Sequence, residues 1–190
     1  MTSGLGRDSI VYSVGVGTEI DFDLALIERF GLQVHAFDPT PVAVEWIGRQ
    51  RLPAEFVFHP VGVAAHDGTA EFGARSTVTH YTSVAGNDAG AERVSLPVRR
   101  LDTLRAQLGH ERIDLLKLDI EGAEYAVLHD MLEHGVYPDQ ILVEFHHRFA
   151  TIGTPRTEDA VAALRSAGYY IFYISPSGRE YGFIREAEGN

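Results

Sequence analysis

Short apolar runs alternate with helix-spaced segments along most of this chain. That alternation predicts an open, mostly parallel sheet with helices on both faces. "IVYSV" (10–14) reads as a strand and runs into the turn "GVG". "DFDLALIERFG" follows as a helix, with Phe22, Leu26, Ile27 and Phe30 at helical spacing and Gly31 as its stop. "QVHAFD" (33–38) is a second strand, after which Thr40 as N-cap and Pro41 at the first helical position open another helix. "EFVFHPVGVAA" (55–65) reads as a third strand, with an irregularity at Pro60 or Gly62. "LDTLRAQLG" predicts a short helix capped by Asp102, "RIDLLKLD" a fourth strand, "GAEYAVLHDMLEHG" a helix and "QILVEFHH" a fifth strand. "TEDAVAALRSAG" is then a helix, and "YYIFYIS" and "EYGFIRE" are joined by "PSG", a turn short enough to demand an antiparallel hairpin.

Composition limits what such a fold would do. A chain of 190 residues with 45% hydrophobic content predicts one domain over residues 1–190. Its formal charge of −11, uninterrupted by a Lys/Arg block, argues against nucleic-acid and anionic membrane partners. The absence of cysteine removes disulfides and thiol catalysis. No apolar leader or membrane-length stretch is seen, so the expected location is cytoplasmic; the oligomeric state is left open.

Ligands of an open parallel sheet sit beyond the carboxyl ends of its strands. Gly15 and Gly17 fall there, between the first strand and its helix, where missing side chains let backbone N–H groups approach a ligand. A dinucleotide fingerprint would place a third glycine at position 20, which holds Ile20. Asp38 ends the second strand, where a carboxylate reaches two ribose hydroxyls. A nucleoside without a pyrophosphate fits these features, and S-adenosylmethionine is one.

The blocks "VYSVGVGTEIDFDLAL", "VHAFDPTP", "HPVGVAAHDGTAEF", "VRRLDTL", "IDLLKLDIEGAEYAVL" and "ILVEFHH", in this order over about residues 10–150, resemble the FkbM family of S-adenosylmethionine-dependent methyltransferases. The resemblance implies a class I methyltransferase fold, a Rossmann-like three-layer α/β sandwich whose mostly parallel sheet ends in an antiparallel hairpin. It implies methyl transfer to oxygen on a small molecule such as a sugar or macrocycle. It further implies that Gly15, Gly17, Thr18, Glu19, Asp38, Pro39, Val63 and Asp119 bind S-adenosyl-L-methionine. Two alternatives stay open: a nucleoside-cofactor-binding module without catalysis, and a nicotinamide-dependent dehydrogenase.

Acidic residues crowd the end of the fourth strand. Asp119 and Glu121 form a rim facing the sulfonium, whereas Glu121 and Glu124 fall in the first turn of the next helix, where the macrodipole favours carboxylates. Lys117 shares the Asp119 face, and either pairs with Glu144 on the fifth strand or contacts substrate or cofactor. His146 and His147 leave the fifth strand beside this rim. His146 is the expected general base for a substrate hydroxyl, which makes His146, Asp119 and Glu121 the catalytic set. A divalent metal on Asp119 with Glu144 or His146 is conceivable and is not expected. His129, His134 and His110 read as solvated. The segment 74–95, rich in Ser, Thr and Gly, reads as a substrate-facing loop with His80 and Tyr81 as contacts, or as a surface insertion.

Overall fold

The computed structural model describes residues 4–74, 81–83 and 93–185. In chain order its elements are β1 (Ile10–Val14), α1 (Asp21–Phe30), β2 (Gln33–Phe37), α2 (Pro41–Ile47), β3 (Phe56–His59), β4 (Gly62–Val63), β5 (Gly68–Ala74) and β6 (Tyr81–Ser83). There follow β7 (Arg93–Arg99), α3 (Leu101–Leu108), β8 (Leu115–Leu118), α4 (Glu124–Glu133), β9 (Gln140–Glu144), α5 (Thr154–Ser166), β10 (Tyr169–Ile174) and β11 (Glu180–Arg185).

Among the described residues the larger sheet has the order β10-β11-β9-β8-β1-β2-β3. Its pairs from β9 to β3 are parallel, and β11 runs antiparallel to both β9 and β10. This is the expected α/β architecture with its antiparallel hairpin. Strand alternation divides the core in two. Val11, Val34, Ala36 and Leu115 meet Leu26 and Ile27 of α1 and Ile47 of α2 on one face. Tyr12, Leu116, Leu118, Ile141 and Val143 meet Leu104 of α3, Leu128 and Met131 of α4 and Leu164 of α5 on the other. Both faces of the central strands are therefore covered, which explains why β8 reads as an apolar run.

Local signals act where the sequence places them. The Thr40 hydroxyl accepts the Ala43 N–H at 3.4 Å with Pro41 at the first helical position, and Gly31 closes α1 at φ 64°. Four readings need correction. The expected third strand is broken at Pro60, because proline offers no ladder N–H: β3 stays in the large sheet and β4 leaves it for a second sheet of order β4-β7-β5-β6. Of what reads as a loop over 74–95, that sheet takes in Ala74, the end of β5, all of β6 and the first residues of β7, while His80, the side chain of Tyr81 and the rest of the segment lie outside the described residues. Asp102 does not cap α3; Arg100 holds the cap position, and Asp102 lies in the first turn, 3.1 Å from Arg100. In α1 the buried position falls to Asp23, which is wholly inaccessible, and Phe22 is 39% exposed. Among the described residues no helix is long and apolar enough to cross a membrane.

Candidate active site

The carboxyl ends of β1, β2 and β8 converge on a cavity of about 280 Å³. Gly15 turns the chain away from β1 at φ 79°, and its backbone passes so close to β8 that a Cβ there would lie 1.8 Å from the Asp119 carbonyl oxygen. Only glycine fits that crossing. The two strand ends are tied by the Asp119 N–H donating to Val14 O at 3.1 Å, and the β1 and β2 ends by the Gly15 N–H donating to Phe37 O at 2.9 Å. Asp38 is almost fully buried. Its Oδ2 accepts the Gly17 N–H at 2.9 Å, and its Oδ1 accepts the Thr40 N–H at 2.9 Å and the Thr40 hydroxyl at 2.6 Å. One carboxylate thus clamps the first glycine turn to the start of α2, with acceptor capacity left for a ligand hydroxyl.

Every residue expected to bind the cofactor lines this cavity: Gly15, Gly17, Thr18, Glu19, Asp38, Pro39, Val63 and Asp119. Glu121 lines it too, which brings two rim carboxylates to the wall. The small sheet adds Ala70, Phe72 and Val98, an apolar wall that sequence reasoning missed because it read this region as loop.

His146 lies behind that rim, 8% exposed. Its Nδ1 donates to Glu124 Oε1 at 2.8 Å, which leaves Nε2 facing Glu121 Oε2 at 3.7 Å and Asp119 Oδ1 at 3.9 Å. Glu124 is the residue sequence reasoning undervalued. The helix begins at Glu124 itself, so Glu121 sits in the preceding turn, at φ 54°, and not in the helix. Glu124 is wholly inaccessible; it accepts the Ile120 N–H at 2.9 Å and the Gly122 N–H at 3.1 and 3.0 Å on its two oxygens. A buried carboxylate is stable only with such donors, and here its last acceptor site fixes the imidazole. The 22 residues between Glu124 and His146 conceal this contact in one dimension.

Burial alone would lower the His146 pKa. The Glu124 hydrogen bond and the charges of Glu124, Glu121 and Asp119 outweigh it, so the pKa is raised above the usual value. Asp119 is pushed up to about 6, first by burial and then by Glu144 and Glu121, against the pull of Lys117 and His146. Asp119, Glu124 and His146 present ligand-type atoms within 4.8 Å of one another, but both Glu124 oxygens already accept backbone N–H groups.

The expected Lys117–Glu144 pair does not form. β8 and β9 align Lys117 with Leu142, and Glu144 is held instead by Arg179 at 3.2 Å. Arg179 comes from the hairpin turn, whose docking beside β9 a reading of the parallel strands alone does not supply. His110 is likewise not solvated: its Nδ1 lies 2.8 Å from the Tyr12 hydroxyl, inside a second histidine cluster with His35 and His59.

A parallel sheet with this strand order, a glycine turn under a nucleoside-sized cavity and an acidic rim define the class I methyltransferases. The methyltransferase FkbM domain matches residues 7–171, and the chain belongs to that family. The probable methyltransferase-like protein 24 of Homo sapiens is 26% identical over 139 residues, 72% of this chain and 32% of that protein. The AMB antimetabolite synthetase AmbE of Pseudomonas aeruginosa is 29% identical over 138 residues, 61% of this chain and 6% of that protein. The chain therefore spans a third or less of these two relatives' lengths. Among solved structures, the fibrillarin pre-rRNA processing protein of Methanococcus jannaschii superposes with a TM-score of 0.57 at 10% identity, covering 97% of this chain and 69% of that one, a likeness of fold.

Proposed function

We propose that this methyltransferase transfers its methyl group to a hydroxyl of a small molecule, with proton removal at the Asp119–Glu121–His146 cluster. The observation that carries this reading is His146: a buried imidazole, oriented through Nδ1 by Glu124, with Nε2 turned toward the cavity-lining Asp119 and Glu121. The cofactor supplies a methyl group on a positively charged sulfur. Gly15 and Gly17 open the backbone toward its nucleoside, Asp38 offers acceptor oxygens to ribose hydroxyls, and the Asp119 and Glu121 carboxylates face its charge. Holding donor and acceptor in line supplies much of the rate. When the acceptor oxygen takes the methyl group, its hydroxyl proton passes to His146 Nε2, directly or through Asp119. Asp119, held near a pKa of about 6, is suited to pass a proton on.

The acceptor proposed is small and hydroxylated rather than a nucleic acid. A net charge of −11 gives phosphate-rich partners no general attraction, and the likeness to fibrillarin is one of fold. The test is to incubate the protein with S-adenosylmethionine carrying a ¹³C-methyl group and panels of hydroxylated metabolites, amines and short RNAs, and to read the methyl shift by NMR. Methoxy products from small molecules are expected. N-methyl or RNA-borne signals without them would overturn the reading.

A further inference from the structure

A second cavity, of about 200 Å³, opens at the same sheet edge on the α1 side. Phe22, Leu142, Tyr173 and Tyr181 give it an apolar lining, Asp119 stands at its rim and Lys117 enters its wall. Asp119 lines the cofactor cavity as well, so the two spaces share that wall.

The charges around this space are unequal in their engagement. Glu144 is held by Arg179 at 3.2 Å, and Glu180 accepts hydrogen bonds from the hydroxyls of Ser175 and Ser177. Lys117 differs: among the described residues no carboxylate oxygen lies within 4.0 Å of its ammonium, although Asp119 and the buried Asp23 act on it over a longer range. A half-buried lysine therefore stands in the wall of an apolar cavity with its charge not taken up by a close carboxylate among the described residues, so it is free to pair with an anion on a ligand seated there.

Volume and spacing describe that ligand. A cavity of about 150 Å³ holds benzene, so this one takes a single six-membered ring with small substituents. Lys117 and Asp119 both line it, so one wall offers a cation for an acid group and a carboxylate to accept a hydroxyl, which suits a ring bearing a carboxylate and a hydroxyl. We infer that this cavity binds a hydroxylated ring carrying a carboxylate, its hydroxyl at Asp119 and its carboxylate on Lys117. The inference rests on the O-methyl transfer reading for the hydroxyl's fate and names the acceptor class.

The test compares 4-hydroxybenzoate with neutral 4-hydroxybenzyl alcohol, each titrated into the protein saturated with S-adenosylhomocysteine and followed by ligand-observed NMR. The acid is expected to bind at least about tenfold more tightly than the alcohol, and Lys117→Met to abolish that preference while S-adenosylhomocysteine affinity is unchanged. Leu142→Trp, which fills the cavity without touching the charge, should weaken both probes about tenfold or more and serves if Lys117→Met does not fold. Equal affinity for acid and alcohol, a preference that survives Lys117→Met, or no binding by protein that still takes S-adenosylhomocysteine would each overturn the inference. Lys117-dependent binding without methylation once S-adenosylmethionine is added would uphold the cavity and overturn O-methyl transfer to this acceptor class. Methylation indifferent to Lys117 and Leu142 would do the reverse.

Discussion

Two clusters, each built around a buried histidine, have opposite electrostatics in this molecule. At the carboxyl edge of the sheet, His146 is surrounded by Glu124, Glu121 and Asp119, and its affinity for a proton is raised despite its burial. At the β2–β3 side, His35 contacts His59 at 3.0 Å and packs edge-on to His110 at 4.5 Å between ring centroids, with Gln33 and Tyr12 as polar neighbours. No carboxylate contributes there, and burial followed by the charges of His110 and His59 lowers His35 to about 4. His59 and His110 are lowered too, in each case by burial first. Histidine is one residue type in both places; its neighbours decide whether it is a proton acceptor or a neutral packing group.

The largest expected effect tests the first cluster. His146→Ala should lower turnover by about 10²–10⁴-fold and leave S-adenosylmethionine affinity nearly unchanged, read by steady-state kinetics and calorimetry. Because an acceptor must be neutral, wild-type turnover should rise with pH through the raised His146 titration, with its midpoint above 6.5. A wild-type rate in the alanine variant would transfer proton removal to Asp119 or Glu121.

Glu124→Ala comes next. It strands the Ile120 and Gly122 N–H groups and frees the imidazole, so a destabilisation of about 3 kcal/mol is expected in urea unfolding. A loss below about 1 kcal/mol would remove Glu124 as the element that distinguishes this cluster from the other.

The third prediction concerns pH and stability, where the clusters should act in opposite directions. His35 binds its proton less well folded than unfolded, so its contribution is complete above 6.5 and lost as pH falls toward about 4. Water at the cluster's edge screens part of this, leaving about 2 kcal/mol, read as an acid limb in the melting temperature that His35→Leu flattens. His146 binds its proton better folded, so its contribution is complete below 6.5 and lost as pH rises through its raised value. An acid limb unchanged in His35→Leu would break the comparison. Smallest of all, Tyr12→Phe removes the hydroxyl 2.8 Å from His110 and should cost about 1 kcal/mol.

The first cluster was half legible in the sequence. Asp119 and His146 each follow an apolar run and must emerge at one edge of a parallel sheet, so their meeting follows from periodicity and topology. Glu124 looked like a first-turn carboxylate of ordinary kind, because nothing local tells a solvated acid from one folded inward against two backbone N–H groups. The second cluster was not legible: the rings of His35 and His59 meet although the strand register aligns His35 with Val57 and His59 with Phe37, and His110 joins from beyond α3. The small sheet was missed for another reason, since β4 is two residues long and Gly68, Gly73 and Pro97 in β5 and β7 read as strand breakers, although Val94, Leu96 and Val98 alternate along β7.

By itself the sequence determined the order and kind of the main strands and helices, the parallel sheet with its antiparallel hairpin, the glycine turn and the acidic edge. These rest on interactions close in the chain: apolar periodicity, caps, and the few backbone conformations open to glycine and proline. Only the tertiary structure decided the partners of the charged side chains, giving Glu144 to Arg179 rather than to Lys117 and Glu124 to His146. A charge chooses its partner by distance and burial, and both are set by strand register and by the docking of distant turns.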